Sequence, residues 1–597
     1  MLSQDTPKFQ FIMIGTVTAM ALCLFALFAL LHVHQTISQD DLNYMVAAKT
    51  LRETGTAIHY GYGERIKTYS PELYLQVLAT GFRLFGVSEA VARLPGIMSG
   101  LLSIVLVFLI TNSLSHGTQI ERLQWASVVS LLYAVTPGLI QGALILAIDN
   151  TILIPPVLLM CWSFIKYLQQ QKIQWLILTA LAMMLALWGR VTTPPAIGLV
   201  MSAYALAGPW NWKTKLRAIG ALLLGAVLFI VSWYSYCLVF NVPFSGPFAY
   251  ALRSLTGKTH DIAFSQIAQN VLYLMLWVGF FTTILFLVVV SRRMRVFFSG
   301  LEGGPEDLFL LSGLSLVIGY FFIGGAIFGY PKYQAPAIPL LYIFIGIALS
   351  KTHSESHYWR AQKLGIALFL ALIACALQMW IVGDWIYLIR YQVRASLAFL
   401  SPSLSEIGRE MSLKAAFVCA VYGLLFVIFH RFSSMTVVGM LFAFSIGSNV
   451  GMAVLQGSAR YHTGYNYGGL GTVEVAAYVR THVPADSVVI APNEVTYYLK
   501  LPNSPYWPDP FWTDIDQLKK RLADQNTSGL VYSIATNTIL QIQTITSNES
   551  LRAFLRKNYD HTTVGTYRVW IRKANNLQAT SRHLQDKGSR FTTMGVQ

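Results

Sequence analysis

Long apolar runs separated by short polar segments make up most of this chain. About thirteen runs are long enough to cross a bilayer as helices, and they lie near residues 11–33, 91–114, 123–140, 151–168, 173–189, 193–209, 217–240, 268–291, 307–329, 333–350, 363–382, 412–429 and 434–455. Prolines at 137, 155–156 and 194–195 predict kinked or re-entrant helices. The pattern predicts a polytopic α-helical membrane protein.

The pattern changes near residue 456, where the chain becomes polar enough for a soluble domain. Helical and strand-like segments then alternate: helices over 472–482 and 549–557, and strands over 487–491, 529–535 and 563–572. This alternation predicts a small α/β domain over residues 456–572. The remaining residues, 573–597, are polar and are predicted to be a disordered tail.

The first polar interruption, residues 34–90, is long and opens with two adjacent acids, Asp40 and Asp41. Ionisable groups at the edge of a bilayer are costly and usually functional. Apolar spacing and stop signals predict two short helices on the membrane surface, one over Tyr44, Ala47, Ala48 and Leu51 ending at Gly55, the other from an N-cap at Ser70 to Gly86. This loop is predicted to carry the chemistry of a transmembrane domain over residues 1–455.

Basic residues concentrate in alternate loops between the apolar runs. Because Lys and Arg mark cytoplasmic loops, the N-terminus is predicted to be cytoplasmic. The loop over 34–90 and the C-terminal domain are then on the external face of an inner membrane. The short opposite loops carry little basic charge beyond Arg190 and Lys332. This bias accounts for the net charge of +16, and no clustered basic surface suggests a nucleic-acid partner.

Four stretches resemble motifs of the GT-C glycosyltransferase superfamily, in order and over residues 11–350. QDDLNYMVAAKTLRETG resembles the family's opening, an acid pair followed by Tyr, Ala-(Lys/Arg) and Gly, and YSPELYLQVLATGFRLFGVSEAVARLPG resembles the continuation. IDNTILIPPVLLMCWSF resembles the acid-containing start of the fourth span, and YPKYQAPAIPLLYIFIGIAL resembles the (Arg/Lys)-Tyr-x-x-Pro span. The nearest branch holds the lipid A aminoarabinose transferases and bacterial relatives of the protein O-mannosyltransferases.

The resemblance implies an enzyme that takes a hexosyl or pentosyl group from a polyprenyl-phosphate carrier. It would transfer that sugar, with inversion, to a hydroxyl of lipid A, another glycolipid, a polysaccharide or a protein. Asp40 matches the catalytic acid, Asp41 stands beside it, and Asp149 matches the second acid. A partly desolvated carboxylate can serve as the base that takes the acceptor proton.

The departing phosphate needs positive charge. Arg253 matches a basic position of the family, Lys332 and Tyr333 match its (Arg/Lys)-Tyr pair, and Lys67 is a further candidate. The Lys or His that the family carries before Pro-Pro is absent here, where the chain reads Tyr-Ser-Pro-Glu over residues 69–72. This departure changes which residue would neutralise the carrier phosphate.

Structural interpretations compete at each position. Asp40 or Asp41 could cap the helix that follows or be an acid of its first turn, and Asp149-Asn150 could cap the fourth span. Arg253 could be a surface charge, Lys332 could snorkel to the interface, and Tyr333 could belong to an aromatic belt.

A different class of function is a transporter or flippase of lipid-linked sugars, which would carry ionisable groups at the middle of the membrane rather than at its external edge. A third possibility is a GT-C scaffold without transferase activity, whose external domain only binds partners. In every case membrane lipids surround the helices. No cofactor is certain: the sequence assigns no metal ligands, and dependence on a divalent cation stays open.

Overall fold

The chain packs as two units in the computed structural model. The structure describes residues 7–34, 37, 39–58, 70–148, 151–259, 304–323, 332–352, 361–382, 424, 427, 435–456, 471–505, 514–533, 548–565 and 567–573. The helical unit contains all the helices up to residue 456 except one. The mixed unit joins that one helix, over Gln39–Thr54, with the C-terminal elements.

The helical unit is built from fourteen helices within the described ranges. They are α1 (Pro7–Leu31), α3 (Leu73–Phe85), α4 (Glu89–Leu114), α5 (Gln119–Ala134), α6 (Pro137–Leu144), α7 (Ile154–Gln170), α8 (Ile173–Gly189), α9 (Thr193–Ala207), α10 (Trp212–Phe240), α11 (Gly246–Thr259), α12 (Pro305–Ile323), α13 (Ala337–Thr352), α14 (Ala361–Val382) and α15 (Met435–Gln456). A single 3₁₀ turn, Lys332–Gln334, precedes α13.

Local sequence explains where several of these helices begin. Ser88 accepts a hydrogen bond from Val91 at the start of α4, Asn211 caps α10, and Thr118 forms a capping box with Glu121 at α5. The prolines predicted to kink spans mostly occupy first turns, where a missing N–H costs nothing. Only Pro137 marks a sharp break, because α5 and α6 meet there at 54°.

Eleven of the thirteen predicted spans coincide with helices, α5 and α6 forming one bent span. Of the other two, 268–291 lies outside the described residues, and only residues 424 and 427 of 412–429 are described. Among the described residues, α1, α4 and α10 are long and apolar enough to cross a membrane by themselves, and the bent pair α5–α6 is a fourth candidate. The number of thirteen spans therefore stays a prediction.

Small residues allow close approach of the last two helices of the unit. Gly447 and Gly451 lie one turn apart on α15 and face the backbone of Ala371 and Cys375 on α14. A side chain at either glycine would collide with that backbone. Such small-residue contacts are a usual way for helices to pack in a membrane, where burial of apolar surface gives no driving force.

Several turns between helices meet at one end of the helical unit, called the basic end here. The backbone N–H of His116 donates to Ser350 Oγ at 3.0 Å, Lys166 Nζ donates to the Ser113 carbonyl at 3.0 Å, and Tyr204 OH donates to the Gly304 carbonyl at 2.9 Å. Basic residues of loops predicted to be cytoplasmic lie near this end, among them Arg122, Lys166 and Lys351. Which face of the membrane this end meets stays a prediction.

The mixed unit contains a four-stranded sheet between two pairs of helices. Its elements are α2 (Gln39–Thr54), α16 (Thr472–His482), β1 (Val488–Ile490), α17 (Asn493–Leu499), α18 (Ile515–Ala523), β2 (Thr527–Ser533), α19 (Glu549–Asn558), β3 (Tyr559–Val564) and β4 (Tyr567–Arg572). The strand order is β1-β2-β4-β3, with β1 parallel to β2 and the other pairs antiparallel. Apolar residues of α16 and α17 pack on one face, and those of α18 and α19 pack on the other.

The predicted α/β alternation is confirmed in its main features, with one correction. The last predicted strand, over 563–572, is a hairpin of two strands, because Gly565 adopts a positive φ of 57° and reverses the chain. The helices α17 and α18 were not predicted. The domain boundaries at 455 and 572 stay predictions, and the predicted disordered tail lies almost entirely outside the described residues.

Candidate active site

The two neighbouring acids lie in the first turn of α2. The helix begins at Gln39, so Asp40 and Asp41 are its second and third residues, where negative charge is favoured by the helix dipole. Asp41 is fully buried, whereas the side chain of Asp40 lies outside the described residues. The acids therefore belong to the helix itself rather than to a cap before it. The helix ends as predicted, with Gly55 at a φ of 74°.

A long-range hydrogen bond holds the chain just ahead of this acidic turn. The buried backbone N–H of Ile37 donates to the hydroxyl of Tyr498 on α17 at 3.1 Å, and α2 packs against α17. Both partners belong to the mixed unit. The C-terminal α/β elements thus support the entry of the acid-bearing helix, a link between residues far apart in the sequence.

Arg93 ties three chain segments together at the end of the helical unit opposite the basic end. Its guanidinium is 1% exposed; Nε donates to the Leu144 carbonyl at 2.9 Å, and Nη1 donates to the Val33 carbonyl at 2.8 Å. The two carbonyls lie at the ends of α6 and α1, where carbonyls otherwise lack helical partners.

The segment between α6 and α7 carries Asp149, which lies outside the described residues. On either side of it, Thr151 donates through its backbone N–H and its hydroxyl to the Ala147 carbonyl, the hydroxyl at 2.9 Å. The N-cap position of α7 is Leu153. Because Asp149 and Asn150 lie outside the described residues, both the cap and the role of Asp149 as the second acid stay predictions.

Arg190 and Tyr333 form a cation–aromatic pair that the sequence analysis did not predict. The guanidinium carbon of Arg190 lies 4.4 Å from the centroid of the Tyr333 ring, and Arg190 Nε donates to Thr192 Oγ1 at 2.9 Å. Tyr333 directly follows Lys332. Arg190 and Lys332 are the two basic residues of short loops that carry little other basic charge, and this shared feature is the sequence signal that could have linked them.

Glu72, in the unusual Tyr-Ser-Pro-Glu sequence, is a buried acid. It occupies the N-cap position of α3, which the sequence analysis had assigned to Ser70. The hydroxyl of Tyr236 donates to Glu72 Oε2 at 2.9 Å, and Gln76 Nε2 donates to that hydroxyl at 2.8 Å. The Tyr236 ring lies against those of Trp188 and Trp233, with centroids 5.6 and 5.5 Å away. The carboxylate thus orders α3 against α10.

The remaining predicted phosphate-binding residues are described only in part. Lys67 lies outside the described residues. Arg253 is on α11, a helix where a loop was predicted, and Lys332 begins the 3₁₀ turn, but neither side chain is described. Within the described ranges, His, Cys, Asp and Glu side chains form no group of three that could hold a metal ion.

Comparisons with known proteins identify the fold. The structure of ArnT from Cupriavidus metallidurans bound to undecaprenyl phosphate is similar with a TM-score of 0.54 and 15% identity, over 94% of this chain and 98% of that one. The structure of the same protein in the apo state is similar with a TM-score of 0.53 and 15% identity, over the same shares of both chains. The chain has the GT-C glycosyltransferase fold. None of the curated proteins matches it at the sequence level.

The match to a family model falls on the helical part of the chain. Residues 70–235 match the model of the family described as dolichyl-phosphate-mannose-protein mannosyltransferase. This range runs from the start of α3 through most of α10. It therefore includes Glu72, Arg93 and Arg190, while Asp40 and Tyr333 lie before and after it.

Proposed function

We propose that the protein transfers a sugar from a polyprenyl-phosphate carrier to a hydroxyl acceptor at the external face of the membrane. The resemblance of the motifs, the GT-C fold and the match over residues 70–235 support this class of reaction. ArnT, the similar solved structure, binds undecaprenyl phosphate, which supports a polyprenyl-phosphate carrier here. The acceptor stays open among a glycolipid such as lipid A, a polysaccharide and a protein.

The observation that carries the proposal is the pairing of Arg190 with Tyr333 at 4.4 Å. It brings a guanidinium beside the residue that follows Lys332, at a membrane-protein position where basic residues are otherwise scarce. A guanidinium offers a fork of donors that suits phosphate oxygens. Arg190 and Lys332 are accordingly proposed to bind the carrier phosphate, with Lys67 and Arg253 as further contributors.

The chemical step needs one base and one stabilised leaving group. The Asp40 carboxylate takes the proton of the acceptor hydroxyl, and the acceptor oxygen forms its bond to the anomeric carbon from the face opposite the phosphate. The carbon–oxygen bond to phosphate breaks, and polyprenyl phosphate leaves with the electron pair, stabilised by the cations. The configuration at the anomeric carbon is inverted. Asp149 is proposed as the second acid of the site.

Asp40 and Asp41 are proposed to have different roles, Asp40 in catalysis and Asp41 in supporting the helix. Asp41 is fully buried, so it is enclosed by protein and suits the support of the first turn of α2. Asp40 is then the acid available for the acceptor. This assignment agrees with the family pattern, in which the first acid of the pair is catalytic.

The test of the function is transfer by the purified protein from defined polyprenyl-phosphate hexoses and pentoses. Release of polyprenyl phosphate that depends on an added acceptor is expected, together with the inverted product. Movement of the intact donor across a vesicle membrane without its cleavage would instead identify a flippase. A parallel reaction with a chelator measures whether a divalent cation is required.

Replacing Arg190 by Gln is expected to lower kcat/KM for the donor by about 10- to 100-fold, the value of one or two hydrogen bonds to a charged group. Arg190→Lys keeps the charge but loses the planar fork, so an intermediate loss is expected. Arg217→Gln is the control, because Arg217 is exposed near the start of α10. Equal kinetics in Arg190→Gln and Arg217→Gln would remove Arg190 from the site.

Replacing Tyr498 by Phe is expected to lower kcat about 3- to 10-fold with little change in KM, because one neutral hydrogen bond to the chain ahead of α2 is lost. The ring and its packing are retained. Tyr478→Phe on α16 of the same unit is the control. A thermal midpoint lowered without any change in kcat would show that the Tyr498 hydroxyl only stabilises the fold.

A further inference from the structure

At the basic end of the helical unit, some side-chain hydrogen-bond donors have no acceptor among the described residues. This donor cluster consists of Arg122 at the start of α5, Lys166 near the C-terminal end of α7 and Ser115 at the C-cap of α4. Arg122 Nε is buried and has no hydrogen-bond partner among the described residues. The hydroxyl of Ser115, which is 7% exposed, likewise has none there.

Lys166 and Arg122 meet the same turn of the chain, because Lys166 contacts the end of α4 and Arg122 lies at the start of α5, which follows that end directly. Lys166 is 9% exposed and donates to the Ser113 carbonyl at 3.0 Å, which uses one of its three N–H donors. Two cations at one partly desolvated turn are unfavourable unless an anion joins them.

Capping of a helix end explains only part of this arrangement. Lys166 satisfies a carbonyl in the last turn of α4, a common role for a lysine at a helix C-terminus. The hydrogen bond from Lys166 to Ser113 does not involve Arg122, so it does not explain why the Arg122 side chain is placed here. The acid next to it in sequence, Glu121, accepts from the Thr118 N–H at 2.8 Å in the capping box of α5, and no ion pair to Arg122 or Lys166 occurs within the described residues.

The surroundings of the donor cluster suit the headgroup level of a membrane. Trp162 Nε1 donates to Ser113 Oγ at 2.9 Å, and the Trp162 ring lies 5.6 Å from that of Trp175 on α8. Tryptophan is enriched at the boundary between lipid and water. On α8, Ile173 and Ile177 are 68% and 55% exposed, so apolar surface suited to acyl chains adjoins this end of the helix pair.

We infer that the donor cluster of Arg122, Lys166 and Ser115 binds the phosphate group of an anionic phospholipid. The phosphate oxygens accept from the Arg122 guanidinium, from the free N–H groups of Lys166 and from the Ser115 hydroxyl, and their charge offsets that of the two cations. The exposed isoleucines favour a lipid over free phosphate, because acyl chains would cover them. The site lies at the opposite end from Arg190 and is independent of the transferase reaction.

The test compares the protein in nanodiscs of phosphatidylcholine alone with nanodiscs that also contain phosphatidylglycerol. Native mass spectrometry after mild detergent extraction counts the retained phosphatidylglycerol, and the thermal midpoint is measured in both discs. Arg122→Gln is the decisive variant, because its side chain makes no hydrogen bond within the described residues and its loss breaks none. Lys172→Gln is the matched control, since Lys172 is exposed two residues beyond α7.

The wild type and Lys172→Gln are expected to retain phosphatidylglycerol and to gain thermal stability from it. Arg122→Gln is expected to bind the lipid about fivefold more weakly, the usual effect of one basic residue near an anionic surface. Equal retention by Arg122→Gln and Lys172→Gln would overturn the site. Stabilisation by inorganic phosphate in phosphatidylcholine discs, equal to that by phosphatidylglycerol, would overturn the lipid as its ligand.

Discussion

Asp40→Asn is expected to reduce turnover by about 10²- to 10⁴-fold, the usual contribution of a general base. The amide has the size of the carboxylate but does not accept a proton from the acceptor hydroxyl. Donor binding should change little, because the proposed phosphate contacts come from basic residues. The measurement is single-turnover transfer from a polyprenyl-phosphate sugar, with the binding of the donor determined separately.

Two neighbours on α2 serve as controls for this variant. Glu53 is exposed near the end of the helix, so Glu53→Gln should leave both turnover and stability unchanged. Asp41→Asn alters a fully buried carboxylate and should lower the thermal midpoint, since a buried polar group loses interactions that its surroundings were built to satisfy. Stability and turnover thus separate the roles of the two adjacent acids.

The outcome that would sink the proposed base is an Asp40→Asn protein that folds normally and turns over at nearly the wild-type rate. In that case Arg190→Gln still tests the transferase itself. If Arg190→Gln loses kcat/KM while Asp40→Asn does not, the polyprenyl-phosphate reaction is supported and the base is a residue other than Asp40. Asp149 is then the next residue to change.

The sequence predicts most helices well because a bilayer constrains them strongly. An apolar run of sufficient length must satisfy its backbone internally, and a helix does so. The predicted runs at 173–189 and 363–382 accordingly match α8 and α14 within two residues. Short elements lack that constraint: α17 and α18 were missed, and the turn at Gly565 was read as part of one strand.

Within the candidate site, local features were predictable and distant contacts were not. The acid-bearing helix and its stop at Gly55 follow from spacing and from a glycine signal. The bonds of Ile37 to Tyr498 and of Arg93 to Leu144 join residues 461 and 51 positions apart, and no periodicity in the chain reports them. Arg190 is predictable in part. The sequence shows a basic residue in a short loop that carries little other basic charge, but it does not show that Tyr333 is its partner.

Arg93→Met is expected to destabilise the helical unit by about 3 kcal/mol or more, since a hydrogen bond from a charged donor contributes about 1.5–3 kcal/mol. Methionine fills a similar volume without donating. The carbonyls of Leu144 and Val33, which accept from Arg93 at 2.9 and 2.8 Å, would lose this donor. Thermal unfolding in detergent measures the effect as a lower midpoint.

Arg83→Met is the matched control, because Arg83 is exposed on the preceding helix α3, and its midpoint should equal that of the wild type. If Arg93→Met yields too little folded protein to measure, Arg93→Lys retains the charge and can reach one carbonyl, so its midpoint should fall between the two. A midpoint for Arg93→Met equal to that of Arg83→Met would contradict the role assigned to the guanidinium. Because Leu144 ends the helix before Asp149, a confirmed loss would also make Arg93 the anchor of the segment that carries the proposed second acid.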